Sequence, residues 1–326
     1  MIPHPFDFDP TYGYSRNELL SIVPPSTEPL GFSDFWHALR DRSGRVPLNL
    51  AFEELLSPDP GYRLIEATFT IHPGYRVGAW VICPRDVSGV RYGIVVGHGY
   101  GGREAAEWDK AGLDRAVIFP VAPGFHISAH PQLPLNDASR HVVCGIDNKD
   151  DYLLGSCACA LWRSIDILES IVPGQIGHFH YIGWSFGGGM GALMLPWERR
   201  FSSAELGQPT FGNHPLRLRM KCAGSGESVR QLHVGNPQIE ETLSFFDAAT
   251  AAKYLTIPVV FGCALFDPAV PPPGQFSVAN AHPGRKRISV FLTGHFDYPH
   301  DAIPSEESLH RNNLAELLGP VAWPTR

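Results

Sequence analysis

The sequence predicts an α/β protein in which a mostly parallel central sheet is covered by helices on both faces and preceded by an irregular N-terminal arm. Two observations predict it. From about residue 62 onward, strand-like apolar runs alternate with helical stretches, the order that crossover connections turn into parallel neighbouring strands. The runs at 92–97 and 116–121 are apolar almost throughout instead of at every second position, as expected of strands buried on both faces. No internal repeat or low-complexity linker interrupts the pattern. The 326 residues therefore read as one domain, with the proline-rich residues 1–61 as an arm packed on the body.

Taken in order, 63–71 and 76–82 read as two strands around the turn His72-Pro73-Gly74, whose residues suit a tight bend. The run 92–97 is the next strand, 104–114 a helix and 116–121 a strand. A long apolar period over 152–171 predicts a helix that stops at Pro173-Gly174 and crosses to the strand 178–182. A helix-like run follows from Phe186. Strands at 257–265 and 287–292 flank a helix that opens near the prolines 271–273, and the last helix spans 305–318.

Apolar residues make up 44% of the chain, enough for a large core, and the formal net charge is -7. With no run of like charge, neither a nucleic-acid surface nor an anionic membrane surface is expected. The first residues have no basic and apolar leader pattern, and no apolar stretch is long enough to span a bilayer, so no export signal or membrane anchor is read. Cys83, Cys144, Cys157, Cys159, Cys222 and Cys263 are scattered, several in apolar runs. This fits buried reduced thiols and a cytoplasmic location. Cys157-Ala158-Cys159 has the wrong spacing for a redox or zinc pair, and His178 and His180 have no carboxylate spaced to join them; no metal or cofactor is expected.

The chemistry concentrates at Gly183-Trp184-Ser185-Phe186-Gly187, a Gly-x-Ser-x-Gly pattern between a strand-like and a helix-like run. Such a turn lifts the serine hydroxyl clear of the sheet, and small neighbours let backbone pass close by. Ser185 is the candidate nucleophile. Asp267 follows the strand 257–265 and His295 follows the strand 287–292, giving the chain order serine, acid, histidine of an α/β-hydrolase triad. Asp297 and Asp301 are rival acids near the histidine, ranked lower because Asp267 stands at the strand end. The loop Gly97-His98-Gly99-Tyr100-Gly101-Gly102 follows an earlier strand, so the NH groups of Tyr100 and Phe186 are expected to form the oxyanion hole. A nucleotide-binding role for this loop lacks the dinucleotide fingerprint with its following acidic residue.

These residues resemble the acetyl xylan esterase and cephalosporin C deacetylase family of the α/β hydrolases, carbohydrate esterase family seven. The resemblance extends from Gly31-Phe32-Ser33-Asp34-Phe35-Trp36 through the Gly97-His98-Gly99-Tyr100 loop, the serine turn, Thr242-Leu243-Ser244-Phe245-Phe246-Asp247, Pro258-Val259-Val260, Asp267 and Pro271-Pro272, to Gly294-His295. It implies an α/β-hydrolase fold, the triad Ser185, Asp267 and His295, the oxyanion donors Tyr100 and Phe186, and a ring-like homo-oligomer whose interface tongue corresponds to 127–152. The chain departs from the family where Phe186 replaces a glutamine, Phe296 replaces a glutamate, and Ala122-Pro123-Gly124-Phe125 stands near an Arg-Gly-Gln element. Trp184 and Phe296, each beside a triad residue, are expected to line the substrate pocket, with Phe186 adding an apolar wall that favours short acyl groups.

The leading expectation is thus a serine esterase that removes short acyl groups, acetyl above all, from a carbohydrate-like alcohol through an acyl-enzyme, with a small-molecule ester as its partner. A carboxylesterase or lactone hydrolase of other substrates would use the same triad. A catalytically silent binding protein on the same fold is the alternative of another class. The unbroken serine, acid, histidine order argues against it.

Overall fold

The register of the strands decides which loops of this chain meet. A computed structural model describes residues 2–319. Among them, strands β1 (Ala51–Leu55), β2 (Tyr62–His72), β3 (Tyr75–Pro84), β4 (Tyr92–Gly97), β5 (Arg115–Pro120), β6 (His178–Trp184), β7 (Phe201–Gly207), β8 (Val259–Phe266) and β9 (Lys286–Thr293) form one sheet in the order β1-β2-β3-β5-β4-β6-β7-β8-β9. β1, β2, β3 and β5 pair antiparallel, whereas β5, β4, β6, β7, β8 and β9 run parallel. The turn Pro73-Gly74, with Gly74 at φ 77°, closes the β2–β3 hairpin. The continuous apolar runs of β4, β5 and β8 are buried, as two-sided cover requires.

Helices lie on both faces. Leu153–Ile171 is apolar nearly all round and almost wholly buried, packing with Phe186–Met194 on the face that receives Tyr181. Ile303–Leu318 covers the opposite face, where His310 meets Glu205 of β7 and Ser289 of β9.

Two expectations change, and one strand is added. The segment 104–114 is a loop with a single short 3₁₀ turn at Trp108–Lys110. Arg103 is the reason: its buried guanidinium donates to Val96 O (2.6 Å) and Pro120 O (3.4 Å) and pairs with Glu107, tying the segment to strand ends. The N-terminal arm is not irregular throughout. It contains the helix Phe32–Arg45, which buries Phe32, Phe35 and Trp36, and it contributes β1 to the sheet edge. β7, finally, is a strand for which the sequence gives no clear apolar run.

Candidate active site

The parallel strands deliver the functional loops to one edge. Gly97 of β4 pairs with Gly183 of β6, Trp184 with Gly207 of β7, and Phe266 of β8 with Thr293 of β9, so the residues that follow leave the sheet on the same side. Ser185 follows β6 and caps the helix Phe186–Met194 with φ 58° and ψ -117°, a strained conformation for a residue with a Cβ. Its amide donates to Gly207 O at 2.8 Å, which anchors the turn and leaves the side chain at the sheet edge. Gly187 is closely packed here. A Cβ on it would stand 3.0 Å from the backbone of Gly97 and His98, so any side chain would push the serine turn away from the 97–102 loop.

Asp267 is fully buried, and each of its carboxylate oxygens is bonded twice. Oδ1 accepts from the amides of Ala269 and Val270, both at 2.9 Å; Oδ2 accepts from Gln275 Nε2 at 2.9 Å and from His295 Nδ1 at 2.8 Å. Donation from Nδ1 fixes the histidine tautomer and leaves Nε2 with a free lone pair when the ring is neutral. Burial lowers the affinity of the His295 ring for a proton, but the hydrogen bond and negative charge of Asp267 outweigh it and raise the pKa above its ordinary value. Of the three acids weighed from the sequence, Asp267 is the one His295 bonds; Asp297 and Asp301 are exposed. His295 itself has φ 47°, so its backbone is also held in a sparsely populated region, and its side chain is 26% exposed.

Phe186 opens the helix after Ser185, so its amide has no partner within that helix and stays available as a candidate oxyanion donor. The loop carrying Tyr100 passes beside it: a Cβ on Gly99 would stand 3.8 Å from Ser185 Cβ. The Tyr100 and Phe186 rings stack with centroids 4.1 Å apart, so the two candidate donors are joined through their side chains. His98 braces the loop from below. Its Nδ1 donates to Gly99 O at 2.7 Å, its Nε2 accepts from the Ala122 amide at 2.9 Å, and burial pushes its pKa down to about 3, which keeps the ring neutral.

His98 and Gln275 were not singled out as functional from sequence. Gln275 holds Asp267 while its Oε1 accepts from the Ala264 amide at 2.8 Å, so it links the acid to β8. His98 reaches the Ala122 amide on a different strand end and Gln275 reaches the Asp267 carboxylate and the Ala264 amide, and such contacts leave no short sequence motif. Phe186 does not supply the expected apolar wall: its ring is 3% exposed, packed among His98, Tyr100, His141 and Phe211. Trp184 and Phe296 are not brought together. Trp184 lies on the face of the terminal helix, donating from Nε1 to Glu205 and lining a cavity of about 430 Å³ with Gln208, Phe291, Thr293 and His310. Phe296 packs on Phe266 and on Phe6 of the arm.

The remaining sequence candidates have structural surroundings. His180 is buried with Nδ1 2.9 Å from Ser203 Oγ, and Cys157 and Cys159 are buried free thiols whose pKa values burial raises. Among the described residues no helix is long and apolar enough to cross a membrane.

A family model described as acetyl xylan esterase (AXE1) matches residues 13–307. The fold is similar to that of an acetyl xylan esterase from Paenibacillus sp. R4, with 18% identity and a TM-score of 0.78 over 93% of this chain and 100% of that one. It is similar in the same degree to acetyl xylan esterase 1 from Thermoanaerobacterium sp. JW/SL YS485, with 18% identity, a TM-score of 0.77, and 93% and 98% of the two chains covered. A curated relative, acetyl esterase Axe7A of Xylanibacter ruminicola, is 23% identical over 140 residues. That match takes in 43% of this chain and 32% of the relative, so the chain spans about a third of the relative's length.

Proposed function

The chain belongs to the acetyl xylan esterase family, and from that membership we propose that it is a serine esterase that removes acetyl groups from a carbohydrate alcohol through an acyl-enzyme. The observation that carries the reading is the pair made by His295 Nδ1 and the fully bonded Asp267, on the sheet edge that also presents the strained Ser185.

In this reading His295 Nε2 takes the Ser185 proton as Oγ attacks the ester carbonyl. The amides of Phe186 and Tyr100 stabilise the oxyanion. The C–O bond then breaks, and His295 passes its proton to the departing alcohol. Water, deprotonated by the same histidine, attacks the acyl-enzyme; acetate leaves and Ser185 recovers its proton. Asp267 keeps the tautomer and stabilises the imidazolium without taking the proton itself. A cytoplasmic site of action belongs to the same proposal and is supported by the six free cysteines. So does a homo-oligomer, tested by sedimentation of the full chain.

Hydrolysis of p-nitrophenyl acetate and of acetylated xylo-oligosaccharides, followed by acetate release, tests the reading. Release of acetate from both supports it. Turnover of other carboxylic esters with none of the acetylated sugar would point to a general carboxylesterase instead.

A further inference from the structure

Resting on the esterase reading, the direction of proton transfer locates the alcohol half of the substrate. His295 must protonate the departing oxygen, so the alcohol has to stand within hydrogen-bond reach of Nε2. The half-buried ring that follows His295 in the chain is Phe296, and it is the first of a strip. Its centroid is 5.2 Å from that of Phe266 and 5.7 Å from that of Phe6. Phe6 in turn lies 5.5 Å from Phe8 and 5.7 Å from His4, and Phe8 lies 6.0 Å from Tyr12.

The arm that supplies these rings runs extended, with a two-residue period. His4, Phe6 and Phe8 are half-buried against the body, while Pro3, Pro5, Asp7 and Asp9 are exposed. It is pinned at the acid. The Asp267 amide donates to Pro10 O at 3.2 Å, Tyr12 Oη donates to Lys221 O at 2.7 Å, and Lys221 Nζ reaches Asp7 Oδ2 at 2.5 Å. Residues 4–12 also precede residue 13, where the family match begins, so the arm's part of this wall lies outside the matched range.

We propose that Phe6 and Phe8 of the arm, together with Phe296, form the subsite for the alcohol half of the substrate, an aromatic strip that receives the C–H face of a sugar ring. Half-exposed rings in a row, with Phe6 tilted 37° to Phe8 and 65° to Phe296, form an apolar concavity of ring faces and edges that demands no particular hydroxyl pattern. They would select for a ring-shaped alcohol over a small aliphatic one, and the selection would reside in KM.

The test uses the full chain with acetylated methyl xyloside, phenyl acetate and ethyl acetate as substrates. Phe6→Ala is expected to lower kcat/KM on the xyloside acetate about tenfold more than on ethyl acetate, with the difference in KM, as loss of one pocket contact does. Phe6→Tyr, which keeps the ring, is expected to recover most of it. Equal losses on the sugar and ethyl esters in Phe6→Ala would mean that the arm merely braces Asp267 and His295, and would overturn the subsite. A selective loss on phenyl acetate alone would overturn it in favour of an aryl site. A wild-type chain that hydrolyses none of the three esters would overturn the esterase reading, and the subsite with it.

Discussion

For His295 to accept the Ser185 proton it must be neutral, and its contact with Asp267 sets the pH at which it becomes so. Because that contact raises the pKa, kcat/KM is expected to fall as pH drops through a midpoint above the ordinary 6.5, measured as a pH profile on p-nitrophenyl acetate. Asp267→Asn removes the charge but not the burial. The midpoint should move down and turnover should fall by about 10³ to 10⁴, so an unmoved midpoint would exclude Asp267 as the acid. Ser185→Ala should lose on the order of 10⁴ or more in rate with an unchanged far-UV spectrum; wild-type turnover by that variant would exclude the nucleophile. These three residues were legible because each occupies a position that backbone chemistry marks: a glycine-flanked turn or the end of an apolar strand. Gln275 was not, since what it does depends on two bonds to groups that only the folded sheet brings near it.

At the scale of elements, His98 holds the 97–102 loop through its bonds to Gly99 O and the Ala122 amide. Replacing His98 by Leu leaves the Ala122 amide buried without its acceptor, at a cost of about 1–3 kcal/mol, and frees the Tyr100 backbone to drift. Urea unfolding should register the first effect, and a drop in kcat larger than any change in KM should register the second. Equal stability in the two proteins would mean that another acceptor takes over. β7 and the segment 104–114 share one cause, polar residues whose partners lie elsewhere in the chain. β7 reads Phe-Ser-Ser-Ala-Glu-Leu-Gly, and Ser203 and Glu205 break its apolar run, yet both are buried against His180, Trp184 and His310. The misread helix at 104–114 fails for a related reason, because Arg103 is drawn inward to carbonyls at the ends of two strands. The arm helix carries Phe32, Phe35, Trp36 and Leu39 at helical spacing, a signal masked by the prolines around it.

Across the whole molecule, the terminal helix is fastened to the sheet through His310, whose Nδ1 meets Ser289 Oγ at 2.8 Å and whose Nε2 meets Glu205 Oε1 at 3.2 Å. Burial pushes the Glu205 pKa up, but His310, His180 and Trp184 outweigh it and hold the carboxyl below its usual value. This contribution to stability is therefore present above the unfolded pKa of 4.5 and is lost as pH falls through the lower folded value. His310→Leu leaves that buried carboxylate with Trp184 Nε1 as its donor and should cost about 1–3 kcal/mol in urea unfolding near neutral pH; an unchanged stability would show that the His310 contact contributes nothing to holding the helix. The fold class and the positions of most strands were legible because continuous apolar runs report two-sided burial, whereas the side chains that join the faces do not announce themselves. The pinning of Asp267 by Pro10 has a further consequence in time. The acid, the histidine and the nucleophile come from three separate strands, and the arm that steadies them comes from the opposite end of the chain, so bringing the site together depends on contacts between distant segments. Such contacts form late, after local helices have recovered. On dilution from denaturant, regained hydrolysis should trail the far-UV signal, making turnover a clock for the last step of refolding.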